Sequence, residues 1–305
     1  MRFISRVFRV PFASFYTFGP VLNLTNRKFI LPAIPAVLLA MISVQGGASI
    51  AKHLFPIIGA SGTASLRIFF AALILLAVFR PNLRALNRKQ WLYCLAYGTC
   101  LGAMNLVFYF AIKRIPLGLA VTLEFTGPLV LALLGSRKLL DLLWVLLACT
   151  GIVLIAPWQD NNVDLLGAAL AVGAGALWAG YIVLGGKVSQ LMKGGDAVAV
   201  GMLFASASVL PFGIFSGDLA AVNGYVLLIG IAVALLTSAL PYTLEMGALR
   251  QLSPKHFGIL MSLHPAFAAL SGLLFLEEYL SLTQWVSVFC VIAASAGATY
   301  FTKKA

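Results

Sequence analysis

Apolar residues run almost unbroken from Ile30 to Phe301, in about ten stretches parted by polar breaks too short to fold as domains. The stretches fall at 31–51, 63–79, 91–112, 117–134, 141–157, 165–184, 197–214, 225–245, 257–276 and 283–301. A helix rises about 1.5 Å per residue, so roughly 20 apolar residues cross a bilayer core of about 30 Å. Each stretch is expected to be a helix, because an open strand would leave backbone N–H and C=O groups unsatisfied in lipid. Several stretches sit at the lower length limit, which predicts little tilt or local breaks. The expected fold class is an all-α integral membrane protein with ten transmembrane helices.

Composition supports this class: 61% of residues are hydrophobic and only 10% charged, which excludes an ordinary soluble enzyme. A net charge of +12 would suit a nucleic-acid binder, but the Lys and Arg residues are scattered through short loops, so no nucleic-acid partner is expected. Numbering the loops alternately places seventeen of them, from Arg2 to Lys304, on one side and only Lys52, Lys113 and Arg114 on the other. The positive-inside rule then puts both termini in the cytoplasm. The far side collects Asp160, Asp164, Asp218, Glu277 and Glu278. Residues 1–29 read as a basic cytoplasmic lead lying on anionic lipid, with a cleaved targeting peptide as the alternative. Residues 302–305 form a cytoplasmic tail. Cys94, Cys100, Cys149 and Cys290 all lie within apolar stretches, in no metal-binding or disulfide spacing. No metal, cofactor or catalytic residue is expected.

The chain also carries a weak internal repeat. AIKRIPLGLAVTLEFTGPL, ending at Leu129, aligns with ALRQLSPKHFGILMSLHPA, ending at Ala266, with Pro128 over Pro265. The two pieces join spans three to four and eight to nine, where a duplicated five-span unit would put them. A unit with an odd number of spans enters the membrane from opposite sides in its two copies, giving inverted repeats over 30–157 and 164–301.

The runs SVQGGASIAKHLFP, ASLRIFFAALIL, MNLVFYFAI, PLGLAVTLEFTGPL, GAGALWAGYIV, SALPYTLEMGAL and FGILMSLHPAFAALSGLLFLEEYL occur in order from about Pro35 to Tyr300. Together they resemble the EamA-type branch of the drug/metabolite transporter superfamily, and within it the members that export threonine and homoserine. The resemblance implies ten helices in two inverted five-helix repeats, a bacterial inner-membrane location, and efflux of small zwitterionic metabolites with protons as the coupling ion. One position departs from the pattern. Where such exporters have an acidic residue before the proline of span nine, this chain has Leu263, His264 and Pro265. The imidazole can itself exchange protons near neutrality.

Candidate site residues follow from what is costly to leave in lipid. An ionised, unpaired Glu124 inside span four costs roughly 2.5–3.5 kcal/mol on insertion scales, so it must face a partner, water or the bundle interior. It is a candidate for binding the substrate ammonium and for carrying the coupling proton; a structural hydrogen-bonded acid is the alternative. Arg67 is a candidate for a substrate carboxylate or for pairing with Glu124, and its place near the outer end of span two also allows snorkelling to the interface. Gln45 and Ser49, and Asn105 and Tyr109, are pairs spaced four apart on one helical face, at depths that permit a shared cavity with Glu124. Interhelical hydrogen bonding would use the same residues.

In the second half, Trp178, Tyr181, Tyr242 and His264 are the matching candidates, expected nearer the cytoplasm because that repeat runs the other way. His264 is the second candidate for proton coupling. Pro128, Pro241 and Pro265 can free helical carbonyls near the cavity, and Gly46, Gly47, Gly173, Gly175 and Gly180 allow close helix approach. No nucleotide-binding loop of the GxxxxGK type occurs, so transport by this chain alone would be secondary. An exporter of another small metabolite or drug, and a channel, are the competing functions; a homodimer is left open.

Overall fold

The computed structural model describes residues 32–134, 164–192, 194–249 and 260–301, with Leu252 and scattered positions between 143 and 154. The lead 1–29, the tail 302–305 and most of span 141–157 lie outside the described residues. Among those residues there is no strand. Five helices are long and apolar enough to cross a membrane. They are α1 (Ala33–His53), α2 (Phe55–Phe79), α3 (Arg88–Ile112), α6 (Leu165–Ser189) and α7 (Gly194–Phe215). Shorter apolar helices occupy the other described spans: α4 (Leu117–Glu124), α5 (Thr126–Leu134), α8 (Gly224–Ala234), α9 (Leu240–Leu249), α10 (His264–Leu276) and α11 (Leu282–Phe301).

Local sequence sets the helix starts. Asn87 and Gln90 form a reciprocal capping box at the head of α3. Asp164 caps α6 by accepting from the N–H groups of Leu166 and Gly167, and Asn223 caps α8 through Val226.

α2 begins at Phe55, eight residues before the expected start at 63, and is bent near its head. Pro56 is tolerated in the first turn, Ile58 leaves helical geometry, and Gly59 takes φ 62°, open to a residue without Cβ. The Asp218 carboxylate accepts from the Ser61 hydroxyl and from the Gly62 N–H, so a residue far along the chain caps the resumed helix. The pattern IIGASG is too small and polar to read as membrane helix, which is why apolar periodicity alone starts the span late.

Spans four and eight are interrupted inside the bundle. Span four divides at Phe125 into α4 and α5, and span eight passes through a π-helical segment, Leu235–Ala239, between α8 and α9. A proline explains both. Pro128 has no N–H for the carbonyl of Glu124, nor Pro241 for that of Thr237, because each stands four residues upstream.

Packing interlocks the two halves of the chain. α3 lies against α6 and α7, α2 against α7 and α8, α1 against α9 and α10, and α4 against α6 and α10. Leu274 (72% exposed) and Leu228 (65%) represent an outward surface of large apolar side chains, suited to lipid rather than water. Buried polar groups gather at the centre instead: Gln45, Ser49, Asn105, Glu124, Thr237 and His264 are each less than a tenth exposed.

Candidate functional site

The interior polar residues form two groups, flanking α1. On one flank the Gln45 amide nitrogen lies 3.2 Å from His264 Nδ1. The His264 ring is stacked 6.5 Å from that of Phe125, whose other neighbour is Trp178, edge-to-face at 5.4 Å. Phe125 is the residue at the α4–α5 break, directly after Glu124. α4 comes this close to α6 because Gly175 has no side chain; a Cβ there would strike the Glu124 carbonyl. Gln45, Glu124, Trp178 and His264, four of the residues singled out from sequence, are thereby brought to one region.

On the opposite flank Arg67 Nε donates to Thr237 Oγ1 at 2.9 Å, and Arg67 Nη1 donates to the Tyr109 hydroxyl at 3.2 Å. The guanidinium also lies 5.4 Å from the centre of the Tyr109 ring, a cation–π contact. Of five guanidinium N–H groups these bonds use two, leaving three without a partner among the described residues. Thr237 belongs to the π-helical segment and its own hydroxyl donates to the Val233 carbonyl at 2.7 Å. The methyl of Thr237 fits over Gly47, where a Cβ would approach to 2.6 Å. Residues two apart on a helix are turned about 200° from one another, so Ser43 and Gly47 face this group while Gln45 and Ser49 face the His264 group. Neither ion pair among the described residues joins Arg67 to Glu124.

Arg67, the thirteenth residue of α2 because that helix starts early, is held by two interior hydrogen bonds. His264 is the first residue of α10 and lies beside Gln45 of α1. Tyr181 stacks on Tyr97 with ring centres 4.9 Å apart and hydroxyls 3.1 Å apart, a contact between α3 and α6 outside both groups. Ser49 and Asn105 each donate to the carbonyl four residues back in their own helix, Gln45 at 3.0 Å and Leu101 at 2.8 Å. The Tyr242 side chain lies outside the described residues.

Thr237 was missed in the sequence because a threonine in an apolar run is ordinary; Pro241, four residues on, was the available signal. Lys52 read as a flanking residue, yet its ammonium pairs with Glu278 and reaches the Ile115 carbonyl at 3.5 Å. The Glu278 carboxylate also accepts the Leu117 N–H at 2.7 Å, and His53 Nε2 contacts the Phe275 carbonyl at 3.2 Å. α1, the α3–α4 turn and the end of α10 are tied together there. Nearby in the same turn, Arg114 pairs with Asp164 at 2.7 Å. That hydrogen bond, with the Gly167 N–H, holds the Asp164 carboxyl below its ordinary value. Lys52, Arg114, Asp164 and Glu278 all come from the loops that the charge bias assigns to one side.

A bundle of apolar helices around buried, incompletely paired charges is the construction of a membrane transport protein. The model of the EamA-like transporter family matches residues 165–300. The chain is 47% identical over 273 residues, 89% of its length, to "Threonine/homoserine exporter RhtA" of Escherichia coli strain K12, covering 92% of that protein. It is 47% identical over 268 residues to the protein of the same name in Salmonella typhimurium LT2, covering 90% of it. A crystal structure superposes over 87% of this chain and 96% of its own with a TM-score of 0.57 at 14% identity, a likeness of fold alone. The chain belongs to the EamA-like transporter family, whose matched relatives are named as exporters rather than enzymes.

Proposed function

We propose that the chain exports small zwitterionic amino acids, threonine and homoserine among them, from the cytoplasm across the bacterial inner membrane by proton-coupled alternating access. The observation that carries this is the interior pair of unmatched charges. Among the described residues Glu124 is buried without a salt bridge and Arg67 has three donors without a partner, while each stands beside a break in helical hydrogen bonding. A zwitterion supplies the complement of both: its ammonium neutralises Glu124 and its carboxylate accepts from Arg67. In its absence a proton on Glu124 removes the cost of a buried charge, so one carboxyl serves substrate and proton alternately.

The packing supports inverted five-helix repeats, 30–157 and 164–301. Exchanging each span with the one five places away turns the contact of span three with six into that of eight with one, and three with seven into eight with two; both contacts of each pair are present. That relation is expected when two copies are linked by an axis in the membrane plane and rock around a shared centre. The relatives' names support threonine and homoserine as cargo.

Expression in a cell lacking its own exporters should raise tolerance to toxic threonine and homoserine and lower their intracellular levels. Glu124→Gln should reach the membrane in normal amount but lose proton-coupled efflux. Wild-type coupling in that variant would remove Glu124 from the mechanism.

A further inference from the structure

His264 is 7% exposed, and its Nε2 is buried without a hydrogen-bond partner among the described residues. A buried polar atom left so is uncommon and costly. The Gln45 amide nitrogen lies 3.2 Å from His264 Nδ1. With that NH2 group donating, Nδ1 is the acceptor and the ring proton sits on Nε2. In that tautomer the unpartnered atom is a donor and calls for an acceptor.

The surroundings narrow what that acceptor is. Phe125 stacks against the imidazole and Trp178 stands edge-on to Phe125, so the wall is aromatic and, among the described residues, offers no second charge to hold a carboxylate. Arg67, on the opposite flank of α1, is the better carboxylate partner. A neutral oxygen at the end of a short hydrocarbon arm fits the aromatic wall and the single N–H together.

We infer that His264 Nε2–H, oriented by Gln45, donates to the side-chain hydroxyl of the transported amino acid and makes the carrier selective for hydroxylated zwitterions. This rests on the export reading above and adds the group that tells hydroxylated substrates from apolar ones of equal size. Gln45 is a positioning residue, acting through the tautomer it imposes. A site built to bond a hydroxyl discriminates strongly against an analogue lacking it, because the buried donor is then left unpaired.

The test uses full-length protein in proteoliposomes and two isosteric pairs, homoserine against norvaline and threonine against valine, each differing by a hydroxyl for a methyl. Half-saturating concentrations for exchange should favour the hydroxylated member by about ten- to a hundredfold in wild type. His264→Leu should reduce this preference to within about threefold, and His264→Gln, whose amide N–H can replace the donor, should restore part of it. Gln45→Leu, which keeps the imidazole but frees its tautomer, should also shrink the preference, and it decides the matter if His264→Leu does not insert. Exchange of homoserine and threonine without preference over their isosteres, or a preference untouched by the variants, would overturn hydroxyl recognition while leaving export intact. A wild-type protein that exchanges none of the four would instead overturn the export reading itself.

Discussion

Pro128 and Pro241 each stand four residues after a group that the interior uses, Glu124 in one span and Thr237 in the other. A residue with no N–H frees the carbonyl at that distance, so the backbone is loosened beside these buried polar side chains. Charged residues were legible from sequence because lipid makes them expensive: Glu124 and Arg67 stand out in any apolar run. Thr237 and the Lys52–Glu278 pair were not, since their partners lie 170 and 226 positions away in the chain. Thr237→Val keeps the shape over Gly47 but removes the acceptor for Arg67 Nε. Leaving that donor unpaired costs roughly 1 kcal/mol or more, so the half-saturating substrate concentration should rise about fivefold or more. Unchanged exchange kinetics would show that Arg67 needs no support from the π-helical segment.

At the scale of the elements, small residues decide how near the helices come. Gly127 and Gly175 press α5 and α6 together, and Gly175 meets the backbone of Glu124 itself. A side chain at 175 has only main chain to push against, which cannot move as a rotamer can. Gly175→Val should lower the unfolding temperature of the detergent-solubilised protein, with overpacking of about 1–3 kcal/mol. Gly173, two residues away, has nothing within 4 Å of where a Cβ would be, so Gly173→Val should unfold at the wild-type temperature. Equal effects at both positions would mean that helix propensity, not close approach, governs this segment. Sequence located the spans because hydropathy in lipid is a strong signal. It misjudged the start of α2, because the kink at Gly59 depends on contacts with a distant residue, Asp218.

For the whole molecule, the two halves interlock and ties gather at one end of the bundle. Lys52, Glu278 and the Leu117 N–H join α1, the turn before α4 and the end of α10, and separating these elements would open a path to the interior on that side. The aligned segments around Pro128 and Pro265 point to a spacing of five spans; which spans pack together across the two halves was not visible in sequence, because it is a property of three-dimensional packing. A protein that presents one site to one compartment at a time must show counterflow. Proteoliposomes containing the wild-type protein and preloaded with unlabelled threonine should take up labelled threonine faster than empty ones, and uptake should saturate with external concentration. Uptake that rises linearly and ignores the threonine inside would contradict alternating access and identify a channel instead.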